Sequence, residues 1–186
     1  VARTAQARLK ELELCNDTYL CDLGENPLPL WEESIWAGDP AWQERLGPVG
    51  EQLASCDAFI VIAPEWHGMV PAGLKNFFLM WGNGELAHKP ALLVSVSASS
   101  GGAYPIAELR MSSYKNNRIC YLPEHLIVRN VGRVFNADPA DNDDRDHDYI
   151  SARLDYCLRM LGSYAEAFRH IRSSGNVGLD TYKFGM

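Results

Sequence analysis

An α/β protein with a parallel sheet covered by helices on both faces is the fold class that this sequence predicts. Three observations carry it. Segments of helical and strand character alternate along the chain. Two of the strand segments, "DAFIVIAP" (57–64) and "KPALLVSVS" (89–97), are apolar throughout, as expected of strands buried on both faces. No repeat or linker divides the 186 residues, so one domain is expected over 1–172 with a tail at 173–186.

Each element has a local reason. Residues 1–14 place Ala5, Leu9 and Leu12 on one side of a helix. "DTYLCDL" (17–23) reads as a strand, and "GENPLPLW" (24–31) as a loop broken by prolines. Residues 40–55 carry Trp42, Leu46, Val49 and Leu53 at helical spacing. After the 57–64 strand, Pro71 suits a helix's first turn, and Leu74, Phe77, Phe78 and Trp81 mark its buried stripe. After the 89–97 strand, "ASSGG" (98–102) leads into a helix through Leu109 and Met111. "HLIVRNV" (125–131) is a further strand, and "ADPADNDDRDHD" (137–148) an acidic loop. A long final helix lines up Ile150, Leu154, Cys157, Leu158, Leu161, Ala165, Phe168 and Ile171.

Composition narrows the function. Hydrophobic residues make up 47% of the chain, which argues for a packed core. The net charge of −7, with no basic stripe, argues against nucleic acid as a partner. It leaves room for an anionic cofactor, because backbone N–H groups bind phosphate without lysines. The apolar runs are shorter than a membrane span, and "VARTAQARLKELE" reads as a charged helix rather than a secretory leader. Five cysteines (15, 21, 56, 120 and 157), with no CxxC pair, read as reduced packing thiols of a cytoplasmic protein. The five histidines form no metal motif.

Ligands of open parallel sheets bind beyond the carboxyl ends of the strands. Two loops there are unusual. Ser97–Gly102 has small residues and two glycines, which let backbone approach a ligand closely; it also suits an ordinary strand-to-helix turn. It lacks the Gly-Lys-Ser/Thr of a P-loop and the GxSxG of a serine hydrolase. Pro64–Gly68 holds Trp66 and His67, planar side chains that either pack or flank a flat ring.

The stretch "APEWHGMVPAGLKNFFLMW" resembles the signature of NADPH-dependent FMN reductases: Pro-Glu-Tyr-Asn, a small residue, Pro, Leu-Lys-Asn and an aromatic near the helix end. Pro64, Glu65, Gly68, Pro71, Leu74, Lys75, Asn76 and Trp81 fit it. "SCDAFIVIA" and "KPALLVSVSASSGG" resemble the strands on either side, and the likeness spans roughly residues 1–135. It implies a flavodoxin-like doubly wound sheet of order 2-1-3-4-5. It also implies bound FMN, with NADPH or NADH as electron donor and a small molecule (a quinone, azo compound or flavin) as acceptor. The implied cofactor-binding residues are Pro64, Glu65, Trp66, His67 and Gly68 against the ring, and Ser97, Ser99, Ser100, Gly101 and Gly102 at its pyrimidine edge. Glu65 is expected to act structurally, on loop N–H groups or across an interface. No catalytic side chain is implied, because the cofactor carries the chemistry.

Two departures stand out. Trp66-His67 replaces the usual Tyr-Asn. The family's first strand and phosphate loop precede its first helix, whereas this sequence opens inside that helix, so about 15–25 further residues are expected ahead of Val1 on the resemblance and on the central place of that strand. Other features read as structural. The six aspartates from Asp138 to Asp148 suit a solvated loop whose last acids favour a helix N-terminus. Arg110, Arg118, Arg129 and Arg133 could meet a cofactor phosphate, with a surface role the plainer reading for each. The helix at 71–82 could pair subunits into a homodimer or homotetramer. Two competing functions stay open: a flavodoxin-like electron carrier without catalysis, and an interaction protein that has lost its flavin.

Overall fold

Side chains along an extended strand point alternately to the two faces of its sheet. The strand Pro90–Val96 is apolar in both directions: Ala91 and Leu93 enter one hydrophobic cluster, and Leu92 and Val94 enter another. The computed structural model, which describes residues 1–185, is organised around that strand.

In chain order the main elements are α1 (Ala2–Glu11), α2 (Pro40–Ser55), β1 (Phe59–Pro64), α3 (Ala72–Met80), β2 (Pro90–Val96), α4 (Ala103–Met111), β3 (Cys120–Val128) and α5 (Asp144–Ser173). The three strands form a parallel sheet in the order β1-β2-β3. The cluster on one face draws on α2, α3 and α4, through Trp42, Leu46, Phe77, Phe78, Ile106 and Leu109. The cluster on the other draws on α1 and α5, through Ala5, Ile150, Leu154, Leu158 and Leu161. The α/β class with helices on both faces is therefore observed.

Local signals explain several boundaries. Asp39 accepts the Ala41 N–H at 2.9 Å and Pro40 opens α2, a standard helix start. Lys89 is buried at the far end of α2, where Nζ donates to the carbonyls of Leu53 (2.8 Å) and Ala54 (2.7 Å). Those carbonyls have no partner within the helix, and a cation suits them. Burial pushes the lysine's pKa down. At α5, Asp143 accepts the Asp146 N–H at 3.0 Å, and Asp144 and Asp146 fill the first turn. The acidic stretch thus feeds a helix N-terminus, though the helix begins inside it at Asp144 rather than after it. Arg8 holds α1 to α5 by donating to Asp155 at 2.8 Å.

Two expected strands need correction. Residues 17–23 form no strand. Cys21 and Leu23 pack against the core, but a strand exists only against a partner's edge, and among the described residues β1 pairs with β2 alone. Of the expected five-stranded order 2-1-3-4-5, the described residues form three strands, in the order β1-β2-β3. β3 begins at Cys120, five residues before His125, and ends at Val128. Its early half contains Pro123, which cannot donate to a ladder. A register shift there, between the pairs Ala91–Tyr121 and Leu93–His125, accommodates the proline.

The Phe77/Phe78/Trp81 stripe of the α3 region is core, with each ring buried. Asn76 is also buried, 6% exposed, for a different reason. Its Oδ1 accepts the Trp31 N–H and its Nδ2 donates to the Pro29 carbonyl, both at 2.8 Å, which fastens the proline-rich loop to α3. Asn76→Ala would strand both backbone groups. We expect a loss of about 2–3 kcal/mol in urea unfolding; a loss below about 0.5 kcal/mol would show that water replaces the amide.

Candidate functional site

The carboxyl ends of β1 and β2 release two loops side by side. The Glu65 N–H still donates to the Val96 carbonyl at 2.8 Å, so the first loop leaves in register with the sheet. It then folds back on itself. Trp66 and Met69 exchange hydrogen bonds in both directions, at 3.0 and 3.2 Å, as an antiparallel bridge. Between them His67 (φ 50°) and Gly68 (φ 72°) both lie in the left-handed region, as a two-residue I′ hairpin turn requires. Trp66 (64% exposed) and Met69 stand out to solvent, as does Tyr104 (71%) from α4, which lies beside Gly68.

Glu108 on α4 supports the hairpin's exit. One carboxylate oxygen accepts the Val70 N–H at 2.9 Å, and the other pairs with Lys75 of α3. The Lys75 pair, with the Val70 bond after it, holds the Glu108 carboxyl below its ordinary pKa of 4.5.

The second loop, Ser97–Gly102, has its hydrogen bonds on one side. The Ser97 carbonyl accepts from Val131 N–H at 3.1 Å, and the Ser99 carbonyl from Asn130 N–H at 2.9 Å. The carbonyls of Ser100 and Gly101 accept from Arg129 Nε, at 2.8 and 3.0 Å. The Gly102 carbonyl accepts from Ser95 Oγ. Five of the loop's six residues thus turn their carbonyls toward the protein. Their N–H groups differ: those of Ser100, Gly101 and Ala103 donate to no acceptor among the described residues. Free N–H groups at a helix start favour an electron-rich ligand edge.

Glu65 ties the loops together. Its Oε2 accepts the Gly102 N–H at 2.6 Å, and its Oε1 is buried with no partner. A β-carbon on Gly101 would lie 2.1 Å from Glu65 Oε2, and one on Gly102 (φ 100°) would lie 2.4 Å from Ile127 Cγ2 and 2.7 Å from Ser95 Oγ. The glycines are there because the two loops touch.

Of the sequence-predicted residues, the structure brings Glu65, Ser97, Gly101 and Gly102 into one contact network. Pro64 ends β1 beside them, Trp66, His67 and Gly68 form the exposed hairpin, and Ser99 and Ser100 are exposed on the second loop. Ser95, Tyr104, Glu108 and Arg129 belong to the same region. Of these only Arg129 was singled out in the sequence, as one of four arginines. Ser95 hid in an apolar strand, and Tyr104 and Glu108 in a helix with no motif.

Residues 1–132 match the sequence profile of the NADPH-dependent FMN reductases. The chain belongs to that family. It is an NAD(P)H-dependent oxidoreductase whose cofactor is FMN. Solved structures share the fold. A flavoenzyme NAD(P)H:(acceptor) oxidoreductase, FerB, from Paracoccus denitrificans is 18% identical, with 88% of this chain and 90% of that one covered at a TM-score of 0.64. An oxidoreductase from Corynebacterium diphtheriae is 12% identical, covering 89% and 85% at 0.62. An NADH:FMN oxidoreductase, EMOB, in its apo form is 16% identical, covering 87% and 78% at 0.59. No curated protein matches the sequence significantly.

Three predictions test this geometry. Gly102→Ala combines a left-handed backbone with two close contacts, so a cost of about 2–4 kcal/mol is expected in denaturant unfolding. Gly101→Ala displaces the Glu65 carboxylate instead, and a crystal structure of that variant should show the Glu65–Gly102 bond broken. For Glu108 the folded pKa is depressed, so its contribution is present above the unfolded value and lost as pH falls through the folded one. The group is largely solvated, so the stability gap between wild type and Glu108→Gln should be at most about 1 kcal/mol at pH 7. It should close as acid unfolding proceeds below pH ~4. A gap that stays constant down to pH ~2 would mean that the carboxylate's charge plays no part.

Proposed function

We propose that FMN lies at the carboxyl ends of β1 and β2, with Pro64–Gly68 against its ring and Ser97–Gly102 at its pyrimidine edge, and that electrons from NAD(P)H pass on to a small flat acceptor of the quinone, azo or free-flavin class. The one-sided hydrogen bonding of Ser97–Gly102 is the observation that carries this reading. A pyrimidine edge presents carbonyl oxygens and an N–H. The free N–H groups of Ser100 and Gly101 suit the oxygens, and the unpartnered Glu65 Oε1 can only accept. The residues present therefore fit the group.

Bound FMN supplies the hydride chemistry. The chain's own contribution is to bind and orient the cofactor and to set the charge around it. Backbone N–H groups aimed at a ring edge stabilise negative charge that grows there on reduction, at no cost in reorganisation. Glu65 holds the loop in place through the Gly102 N–H. Trp66, Met69 and Tyr104 offer an exposed shelf of planar and polarizable side chains where a flat acceptor can stack.

Assembly and location belong to the same proposal. A homodimer or homotetramer through residues 71–82 would use Leu79, the large apolar α3 side chain left exposed, since Phe77 and Phe78 are taken by the core. A cytoplasmic location accords with five free cysteines. No helix among the described residues is long and apolar enough to cross a membrane.

The test is a titration of the full-length protein with FMN, followed anaerobically by NADPH and by NADH. The expected result is a yellow complex that either donor bleaches and a planar quinone restores. Binding without bleaching would favour an electron carrier, and no binding would sink the placement. Trp66→Ala and Tyr104→Ala should each raise KM for the quinone about three- to tenfold, equivalent to about 1 kcal/mol of stacking, while NAD(P)H still bleaches the flavin. An unchanged KM in both would remove the shelf.

A further inference from the structure

The structure separates the four arginines that the sequence left equivalent. Arg110 donates to the carbonyls of Leu122 (2.6 Å) and Pro123 (2.9 Å). Arg118 donates to the carbonyls of Tyr182 and Lys183 in the C-terminal tail. Arg133 pairs with Asp143, the residue that caps α5. Each guanidinium has a structural partner that accounts for it.

Arg129 differs. It directly follows β3, its side chain is exposed, and its Nε bonds the carbonyls of Ser100 and Gly101. Those two bonds fix the stem side of the guanidinium on the Ser97–Gly102 loop. The terminal nitrogens Nη1 and Nη2 donate to no acceptor among the described residues, and no carboxylate there pairs with them. Glu65, whose carboxylate reaches this loop from the neighbouring one, is engaged with the Gly102 N–H. A permanently charged, planar donor pair is thus anchored on the loop next to the helix start of α4. Two parallel N–H groups match the oxygens of a phosphate, and a guanidinium held in advance loses little freedom on binding.

We propose that Arg129 binds a phosphate of the nicotinamide donor and thereby sets donor affinity. The proposal rests on the placement of FMN at Ser97–Gly102. The phosphate has two sources, the 2′-phosphate that only NADPH carries and the pyrophosphate that NADPH and NADH share. The experiment distinguishes them. FMN affinity is measured first, by flavin fluorescence quenching, for full-length wild type, Arg129→Gln and Arg129→Lys. The FMN-loaded proteins are then titrated by calorimetry with 2′,5′-ADP and with ADP-ribose, neither of which can donate a hydride.

The expected result in Arg129→Gln is probe binding to the FMN-loaded protein weakened about tenfold or more, with any fall in FMN affinity from the lost bonds to the Ser100 and Gly101 carbonyls clearly smaller. Arg129→Lys, which keeps the charge without the fork, should lose less. Loss for 2′,5′-ADP alone assigns the 2′-phosphate, and loss for both probes assigns the pyrophosphate. Unchanged affinity for both probes overturns the proposal while FMN binding stands. A fall in FMN affinity that matches the fall in probe affinity also overturns it, because Arg129 would then act only by holding the loop. A wild-type protein that binds no FMN overturns the placement itself.

Discussion

The hydrogen bond from the Gly102 N–H to Glu65 joins the loop after β1 to the loop after β2, and the rest of the site follows from it. A carboxylate can take that position only if the opposing backbone carries no β-carbon, which accounts for Gly101. The same close approach pushes Gly102 against Ile127 and Ser95, where only a left-handed, side-chain-free residue fits. Residues 129–131 then take up the loop's carbonyls from the other side. With its acceptors used inside the protein, the loop has N–H groups left for a ligand. That polarity is a property of backbone held on both flanks, and no single side chain supplies it.

What was legible in the sequence follows from the range of the forces involved. The start of α2 was readable because Asp39 and Pro40 act within one turn. β1 and β2 were readable because burial on both faces leaves an unbroken apolar run. Residues 17–23 have strand composition without strand structure, since pairing depends on an edge distant in sequence. Cys120–Leu122 joined β3 unnoticed because Pro123 argues against a strand locally, and the register shift that tolerates it is set by β2. At the site, small residues signalled close approach of backbone. What they approach, Glu65, lies 37 residues earlier and was visible only as a family motif. Glu108 gave no signal, because its partners Val70 and Lys75 come together only once α3 and α4 pack.

The replacement of Tyr-Asn by Trp66-His67 becomes intelligible through the turn. A two-residue I′ hairpin needs positive φ at both central residues, and its preferred pair is Asn-Gly. His67-Gly68 occupies those two positions. Among residues other than glycine, asparagine, aspartate and histidine are the ones enriched in the left-handed region. Histidine for asparagine therefore keeps the backbone geometry that the position demands and changes only the group at its tip. The flanking position tolerates a larger aromatic because it points to solvent, and an indole there extends the flat surface that a tyrosine would offer. The hairpin's shape is a backbone requirement, and the chemistry it presents is free to vary. The departure at 66–67 thus falls on what the hairpin displays to solvent, while the Glu65–Gly102 bond and the loop it holds are left intact.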